Sequence, residues 1–194
     1  MDNKTEHSTS QQESDETLMI AYAKGDASAF DQLYGRHKVI IYRFFLRQNL
    51  PVAVAEELCH DTWLKIINSR DNYQASALFT TYLFTIARRL MIDFQQKKST
   101  QCEQLFDPAQ DEILSDELVS DTPETTTQAK LSVALKRNIT LLPFDQREVF
   151  LLKQESGFSI QEISVITQQD KEKVKSSWRY ALQKLRKGLE NYVI

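Results

Sequence analysis

Residues 158–189 read as two amphipathic helices joined by a tight polar turn, and no other stretch limits the possible folds as much. Ser159 and Glu162 form a capping box, in which the hydroxyl and the carboxylate each satisfy an unpaired amide at a helix start. Residues 167–169 interrupt the first apolar stripe, and Asp170 is suited to cap the second helix. Apolar residues then recur at spacings of three and four from Val174 to Leu189, so the second helix buries one face. Its other positions carry cations, at Lys171, Lys173, Lys175, Arg179, Lys184, Arg186 and Lys187.

A short capped helix, a tight turn and a basic second helix are typical of a helix-turn-helix, whose second helix enters the major groove of DNA. Amphipathic basic helices also bind membrane surfaces or acidic grooves on proteins. The capped helix and the turn that come first favour DNA binding over these two alternatives.

The composition predicts an all-helical protein in a reducing compartment. Four glycines and four prolines among 194 residues are too few for a turn-rich β protein, and 41% hydrophobic residues are enough for packed cores. No apolar run approaches the length of a membrane span, and the polar N-terminus lacks the apolar segment of a signal peptide. Cys59 and Cys102 are far apart and form no CxxC motif, so we expect a reducing cytoplasm.

Charge is segregated along the chain and divides it into modules. Residues 1–17 hold five acids and one base, and residues 99–129 hold eight acids and no Lys or Arg. We therefore expect a disordered polar tail over 1–17 and a flexible acidic linker over 99–128. This linker is either a solvated loop, a shield for a basic module or a segment that follows a positive groove on a partner. The remaining segments, 18–98 and 129–194, are both basic, and phosphate backbones attract such modules.

Both basic modules are predicted to be small helical domains. In the first, Asp26 caps a helix that continues to Leu46, and Pro51 opens a helix whose apolar positions lie four residues apart. A third helix, at 78–98, has a core face predicted at Leu83, Ile86, Leu90 and Phe94. In the second module, a helix over about 129–141 and another after Pro143 join the helix-turn-helix to make a four-helix bundle.

The third helix combines aromatic and cationic side chains. Phe79 and Tyr82 lie near Arg88 and Arg89, and these residue types stack on unpaired bases while cations hold the backbone. An aromatic stripe at helical spacing also serves as core, so this pattern alone leaves both interpretations open.

The sequence gives no support for catalysis. It has no Gly-x-Ser-x-Gly, no Gly-rich phosphate loop and no His-Glu-x-x-His. Cys59 and His60 are adjacent, but neighbouring side chains on a helix diverge by about 100°, which makes a shared metal site awkward. We predict no enzyme activity, no metal, no cofactor and no small-molecule substrate.

Taken in order, the two modules resemble the extracytoplasmic-function (ECF) group of the sigma-70 family, small sigma factors that retain only regions two and four. AEELCHDTWLKI resembles the region-two segment that docks on the coiled coil of the largest polymerase subunit. LFTTYLFTIARRLMIDFQQKK resembles the helix that opens and reads the −10 element. LPFDQREVFLLKQESGFSIQEISVIT and KVKSSWRYALQKLRKGL resemble the region-four helix-turn-helix that reads the −35 element.

The resemblance implies three sets of site residues. The −35 set has base-edge contacts at Lys175, Ser176 and Arg179 and phosphate contacts at Lys171, Lys173 and Arg186. The set for −10 reading and melting is Phe79, Tyr82, Arg88, Arg89, Lys97 and Lys98. The set for core polymerase binding is Glu56, Glu57, Leu58, Asp61 and Trp63.

Several positions depart from the family pattern. His60 replaces the usual Gln, Tyr82 the common Trp, and Arg89 the usual Asn near the captured −10 base. Ser177 and Tyr180 stand at two frequent Arg positions of the recognition helix. These changes are compatible with a sigma factor. They mean, however, that the family's usual promoter sequence cannot be assumed for this chain.

The resemblance predicts a sigma factor that binds core RNA polymerase, through the coiled coil and the flap, and promoter DNA. It further implies an anti-sigma factor as a partner. The alternative is a stand-alone helix-turn-helix regulator that would bind duplex DNA tightly without polymerase.

Overall fold

The computed structural model describes residues 13–102 and 127–190, and all regular structure within these ranges is helical. This confirms the prediction of an all-α fold. The helices are α1 (Asp15–Ala23), α2 (Ala27–Leu46), α3 (Val52–Ser69), α4 (Phe79–Cys102), α5 (Thr127–Thr140), α6 (Phe144–Gln154), α7 (Ile160–Thr167) and α8 (Lys171–Leu189), with a 3₁₀ turn at Arg70–Asn72.

Helix starts follow the local sequence signals. The Asp26 carboxylate accepts a hydrogen bond from the Ser28 amide and begins α2, as predicted. Pro51 and Pro143 precede α3 and α6, where a missing amide hydrogen costs nothing because it would have no helical partner. Gly25, at a φ of 104°, makes the tight connection between α1 and α2.

Helices α1 to α4 pack as an N-terminal domain around a core that α4 crosses. The core face of α4 is offset from the predicted one, because only Leu83 of the four predicted residues is fully buried. Ile86, Leu90 and Phe94 pack at the edge of the core. The buried side chains of this helix are Phe79, Thr81, Leu83, Phe84, Ala87 and Met91.

Helices α5 to α8 form the predicted four-helix bundle. Both α5 and α6 pack against α8, and α7 leads into α8 through the turn. The core shared by α5, α6 and α8 consists of Ile139, Leu142, Phe150, Leu151, Ala181 and Leu185. The buried Ile163 and Ile166 of α7 lie instead in the cluster that contains the N-terminal core.

The module boundaries differ from the predicted ones at three described places. Helix α1 begins at Asp15, inside the predicted tail, because the acids there are bound: Asp15 contacts Arg36 and His37, and the Glu16 carboxylate accepts a hydrogen bond from the Phe79 amide at 2.7 Å. Helix α4 continues to Cys102, inside the predicted linker. Helix α5 begins at Thr127, also inside the predicted linker. Residues 1–12 of the predicted tail and 103–126 of the predicted linker lie outside the described residues.

Candidate nucleic-acid interface

The turn between α7 and α8 has the geometry of a helix-turn-helix. Ser159 accepts a hydrogen bond from the Glu162 amide at 3.2 Å, and the Glu162 carboxylate accepts one from the Ser159 amide at 2.8 Å, which confirms the capping box. Gln168 closes α7 in the left-handed conformation, at a φ of 53°. The Ser164 hydroxyl donates to the Gln169 carbonyl at 2.6 Å, and Asp170 precedes α8 without a side-chain capping bond. The turn is thus three residues long and tied to α7.

Helix α8 separates its charge from its core completely. Val174, Ser177, Ala181 and Leu185 are buried, whereas every predicted −35 cation is exposed and Ser176 is half-buried. The exposed cations of that set are Lys171, Lys173, Lys175, Arg179 and Arg186. The helix therefore offers a basic face of about five turns.

Two lysines of this face already have carboxylate partners. The Lys175 ammonium lies 2.7 Å from Glu172 on the same helix, and Lys173 lies 3.4 Å from Asp145 of α6. The hydrogen bond from Lys175 lowers the pKa of the Glu172 carboxyl. All four side chains are at least about half exposed, so these are weak surface pairs that a phosphate or a base edge can displace.

The family departures on α8 have different surroundings. Ser177 is buried and faces the core, so it cannot contact DNA from this position. Tyr180 is 51% exposed, and the Arg179 guanidinium lies 6.0 Å from the centre of its ring. Sequence reasoning treated Tyr180 only as a departure, and its exposure beside Arg179 makes it a further candidate for the DNA-binding surface.

The predicted −10 residues of α4 differ in their exposure to solvent. Arg89, Lys97 and Lys98 are exposed. Tyr82 is half-buried, and its hydroxyl shares a hydrogen bond of 2.7 Å with the Ser69 hydroxyl. Phe79 is fully buried, so its ring belongs to the core, where it contacts His37 and Tyr73.

Arg88 is the most enclosed cation of the −10 set. Its side chain is 13% exposed, and its Nε donates to the Glu148 carboxylate of α6 at 2.8 Å. Glu148 is fully buried, and burial raises the pKa of its carboxyl although Arg88 opposes that shift. A residue expected to face DNA therefore points into the boundary between the two domains, and nothing in the spacing of the sequence signalled Glu148.

Only some of the predicted polymerase-binding residues of α3 are exposed. Glu56 and Glu57 are exposed and Asp61 is half-buried. Leu58 and Trp63 are buried in the N-terminal core, so they support α3 from inside and are not exposed to a partner. Leu64, which is 40% exposed, lies seven residues after Glu57 on the same face. Sequence reasoning missed it, although its spacing of seven residues was available as a signal.

Neither a metal site nor a membrane helix is found in the part of the chain that the structure describes. No three His, Cys, Asp or Glu side chains there come together as metal ligands, and none of its helices has the length and hydropathy to span a bilayer. Cys59 is half-buried, and burial raises the pKa of its thiol, while His60 is exposed.

The fold and these surfaces define a two-domain helical DNA-binding protein. Comparison with family models matches Sigma-70 region 2 to residues 33–100 and Sigma-70 region 4 to residues 123–185. The chain belongs to the sigma-70 family and is an RNA polymerase sigma factor of its ECF group, which confirms the resemblance found in the sequence motifs.

Individual relatives agree with this assignment. The ECF RNA polymerase sigma factor SigX of Bacillus subtilis (strain 168) is 26% identical over 164 residues, which are 83% of this chain and 84% of SigX. SigW of the same organism, also an ECF sigma factor, is 28% identical over 173 residues, 87% of this chain and 92% of SigW. The solved structure of the sigma factor RpoE with the anti-sigma factor NepR, from Bartonella quintana, has a TM-score of 0.66 at 23% identity. That likeness covers 83% of this chain and 96% of the RpoE chain, and it shows the same fold.

Proposed function

We propose that this chain delivers core RNA polymerase to promoters by binding the polymerase with α3, the −10 element with α4 and the −35 element with α8. The observation that carries the proposal is the basic face of α8, which is exposed along its length and oriented by a capped helix and a three-residue turn. The geometry suits a helix that inserts into the major groove as part of a larger assembly.

On α8, Lys175 and Arg179 lie four residues apart on one face, with Ser176 beside them. We assign these three to the base edges, where a guanidinium or ammonium donates to guanine O6 and N7. Lys171 and Lys173 lie near the helix start and are assigned, with Arg186, to phosphates.

On α4, we assign the exposed Arg89, Lys97 and Lys98 to the backbone of the melted strand and Tyr82 to base stacking. Phe79 supports this surface from the core instead of contacting a base. Arg88 can join the contacts only after it leaves Glu148. Extrusion of a base costs a few kcal/mol, which explains why two small domains need a polymerase to melt DNA.

On α3, we assign polymerase binding to the acidic face of Glu56, Glu57 and Asp61, with Leu64 as an apolar contact at its end. An acidic face with a half-exposed leucine complements a basic surface that carries an apolar patch. Leu58 and Trp63 anchor this face from the core. The flap of the polymerase is the expected contact of the C-terminal domain.

We further propose that the chain acts in the bacterial cytoplasm, performs no catalysis and takes no cofactor or small-molecule substrate. An anti-sigma factor is the expected regulator, and the complex of the related RpoE with NepR supports this expectation.

Run-off transcription with purified core polymerase tests the proposal. Lys175→Ala combined with Arg179→Ala should weaken promoter selection while core association stays intact. Lys184→Ala, an exposed cation of the same helix outside the assigned set, is the matched control. A chain that does not associate with core, or that binds duplex DNA tightly and specifically alone, would contradict the proposal and favour the stand-alone regulator.

A further inference from the structure

The first turn of α4 is capped by a side chain from another helix. Leu78, which immediately precedes α4, has no side-chain oxygen for the amides that lack a helical partner there. Glu16 of α1 supplies one instead, because its carboxylate accepts a hydrogen bond from the Phe79 amide at 2.7 Å. The helix dipole further stabilises a negative charge at a helix start. Helix α1 therefore fixes the point at which α4 begins.

Helix α1 is itself bound to α2 through the residue before Glu16. One carboxylate oxygen of Asp15 lies 2.7 Å from the Arg36 guanidinium, and the other lies 2.6 Å from the His37 ring. All three side chains are only 13–21% exposed, so solvent screens these contacts incompletely. Adjacent side chains on a helix diverge by about 100°. Asp15 thus binds α2 while Glu16 binds α4, and the orientation of the Glu16 carboxylate is set by α2.

A second contact joins α1 to the loop that leads into α4. The Arg70 guanidinium, where this loop begins, lies 5.5 Å from the centre of the Tyr22 ring of α1. A guanidinium at this distance from an aromatic ring is attracted to its face. Glu16 binds the other end of the loop at Phe79. Both ends of residues 70–78 are therefore attached to α1.

Tyr73 connects Glu16 to the ring that we assign to base stacking. The centre of the Tyr73 ring lies 5.4 Å from that of Tyr82 and 6.3 Å from that of Phe79. Burial raises the pKa of the Tyr73 hydroxyl to about 12, and the negative charge of the nearby Glu16 adds to the rise. The Tyr82 hydroxyl shares a hydrogen bond with Ser69 of α3. Tyr82 is therefore fixed by a hydroxyl of α3 and by a ring that itself lies near Glu16.

We propose that Glu16 is a positioning residue for −10 reading, which fixes the start of α4 and so orients Tyr82 for stacking on an extruded base. A ring that is ordered before DNA arrives loses less freedom on binding, so a base stacks on it more tightly. The consequence for −10 reading rests on the proposed function, whereas the capping of α4 by Glu16 is a separate claim.

Amide hydrogen exchange, followed by nuclear magnetic resonance, tests the capping contact in the free chain. The Phe79 amide should exchange about tenfold faster in Glu16→Ala, because it loses its hydrogen-bond acceptor. In Glu16→Gln the side-chain oxygen still accepts this bond, so the exchange rate should stay close to that of the wild type. Glu13→Ala, which removes the same charge from an exposed side chain of the same segment, is the matched control. Equal exchange in Glu16→Ala and the wild type would overturn the capping contact.

Base extrusion in the polymerase complex tests the consequence. Core polymerase carrying each variant is mixed with a promoter fragment that has a fluorescent adenine analogue in its −10 element, and the fluorescence rises when the analogue leaves the stack. We expect Glu16→Ala to weaken extrusion about tenfold, the size of one base-stacking contact, while core association is unchanged. Glu16→Gln should restore extrusion. Full extrusion by Glu16→Ala, or an equal loss of core association, would overturn the positioning role.

A double-mutant cycle tests whether Glu16 acts through Tyr82. Glu16→Ala should have little further effect on extrusion in a chain that already carries Tyr82→Ala, because the ring that Glu16 orients is then absent. Losses that multiply would overturn this route. A wild-type chain that extrudes no base with core polymerase would instead refute the proposed function, and the exchange of the Phe79 amide would still decide whether Glu16 caps α4.

Discussion

Helices α4 and α8 both resemble DNA-reading helices, but the protein holds them differently. On α8 the assigned cations are exposed, and the carboxylates beside them are weak surface partners. On α4, Arg88 is bound to a fully buried glutamate from the other domain, and Tyr82 is tied to Ser69. The proposed −35 surface is therefore accessible, whereas Arg88 of the proposed −10 set is enclosed.

The difference has a physical cause in what each helix packs against. Helix α8 packs against α5, α6 and α7, but its buried residues all lie on a single face. Helix α4 is the central helix of the N-terminal domain and also receives α7, so a second side of it is covered. A helix with two covered sides has fewer positions left for a ligand, and its function depends on the domain that covers it.

The largest expected effect comes from the aromatic contact that joins the two domains. Phe84→Ala should lower the free energy of unfolding by about 3–5 kcal/mol, because the ring is buried and fills space in both domains. Urea denaturation measures this loss. Phe94→Ala, which removes a half-buried ring from the same helix, should cost clearly less. Equal losses would show that Phe84 has no special place between the domains.

Loss of the assigned base contacts on α8 should rank second. Lys175→Ala with Arg179→Ala should weaken discrimination of the −35 element by about 2–4 kcal/mol, since each good contact to a base contributes about 1–3 kcal/mol. Competition between promoter fragments measures the effect. An equal loss of core binding would show that the recognition face lies elsewhere.

We call the arrangement in which Arg88 and Glu148 join the two domains the closed state, and it should also respond to pH. Burial raises the pKa of the Glu148 carboxyl, with Asp145 adding to the rise and Arg88 and Arg147 opposing it, and burial likewise raises the pKa of Glu155. A carboxyl with a higher pKa in the closed state binds more protons there than in the open state. The closed state is therefore favoured at low pH and loses this advantage as pH rises from the ordinary value of 4.5 through the raised pKa.

Energy transfer between dyes on the two domains, followed from about pH 5 to about pH 8, measures this response. The closed fraction should decrease as the pH rises. Glu148→Gln, which cannot ionise, should remove most of the slope, and a slope that persists unchanged would assign the response to other groups.

The smallest expected effect concerns the helix-turn-helix itself. Ser159→Ala removes one half of the capping box and should lower stability by about 1 kcal/mol. Thermal unfolding detects the change, and Ser76→Ala, in the exposed loop before α4, is the control. A larger loss for the control would contradict the assigned cap.

Much of this molecule could be predicted from the sequence because the signals were local. The capping box at Ser159, the cap at Asp26 and the turn before α8 each involve residues a few positions apart, and they were all confirmed. The exposed face of α8 also followed from periodicity, since its apolar residues recur at helical spacing.

Long-range contacts could not be predicted in this way. The local sequence predicts that Arg88 contacts DNA. Its actual partner, Glu148, lies 60 residues away in another domain, so no local pattern indicates the ion pair. From the sequence alone, Asp15 and Glu16 are predicted to belong to a charged tail. In the fold, Asp15 contacts Arg36 and His37, and Glu16 binds the start of α4. The buried face of α4 also differs from the predicted one because of a long-range contact. Helix α7 covers a side of α4 that would be exposed to solvent if the N-terminal domain stood alone.

The most direct test of the central claim compares the two surfaces in the free chain before and after opening. Fluorescence anisotropy would follow binding to an AT-rich single-stranded oligonucleotide and to a duplex of random sequence, for the wild-type chain and for Glu148→Ala. We predict that the substitution tightens single-strand binding at least tenfold and leaves duplex binding unchanged, because it frees Arg88 and does not touch α8. Equal changes on both probes, or no change on the single strand in a folded variant, would contradict the account.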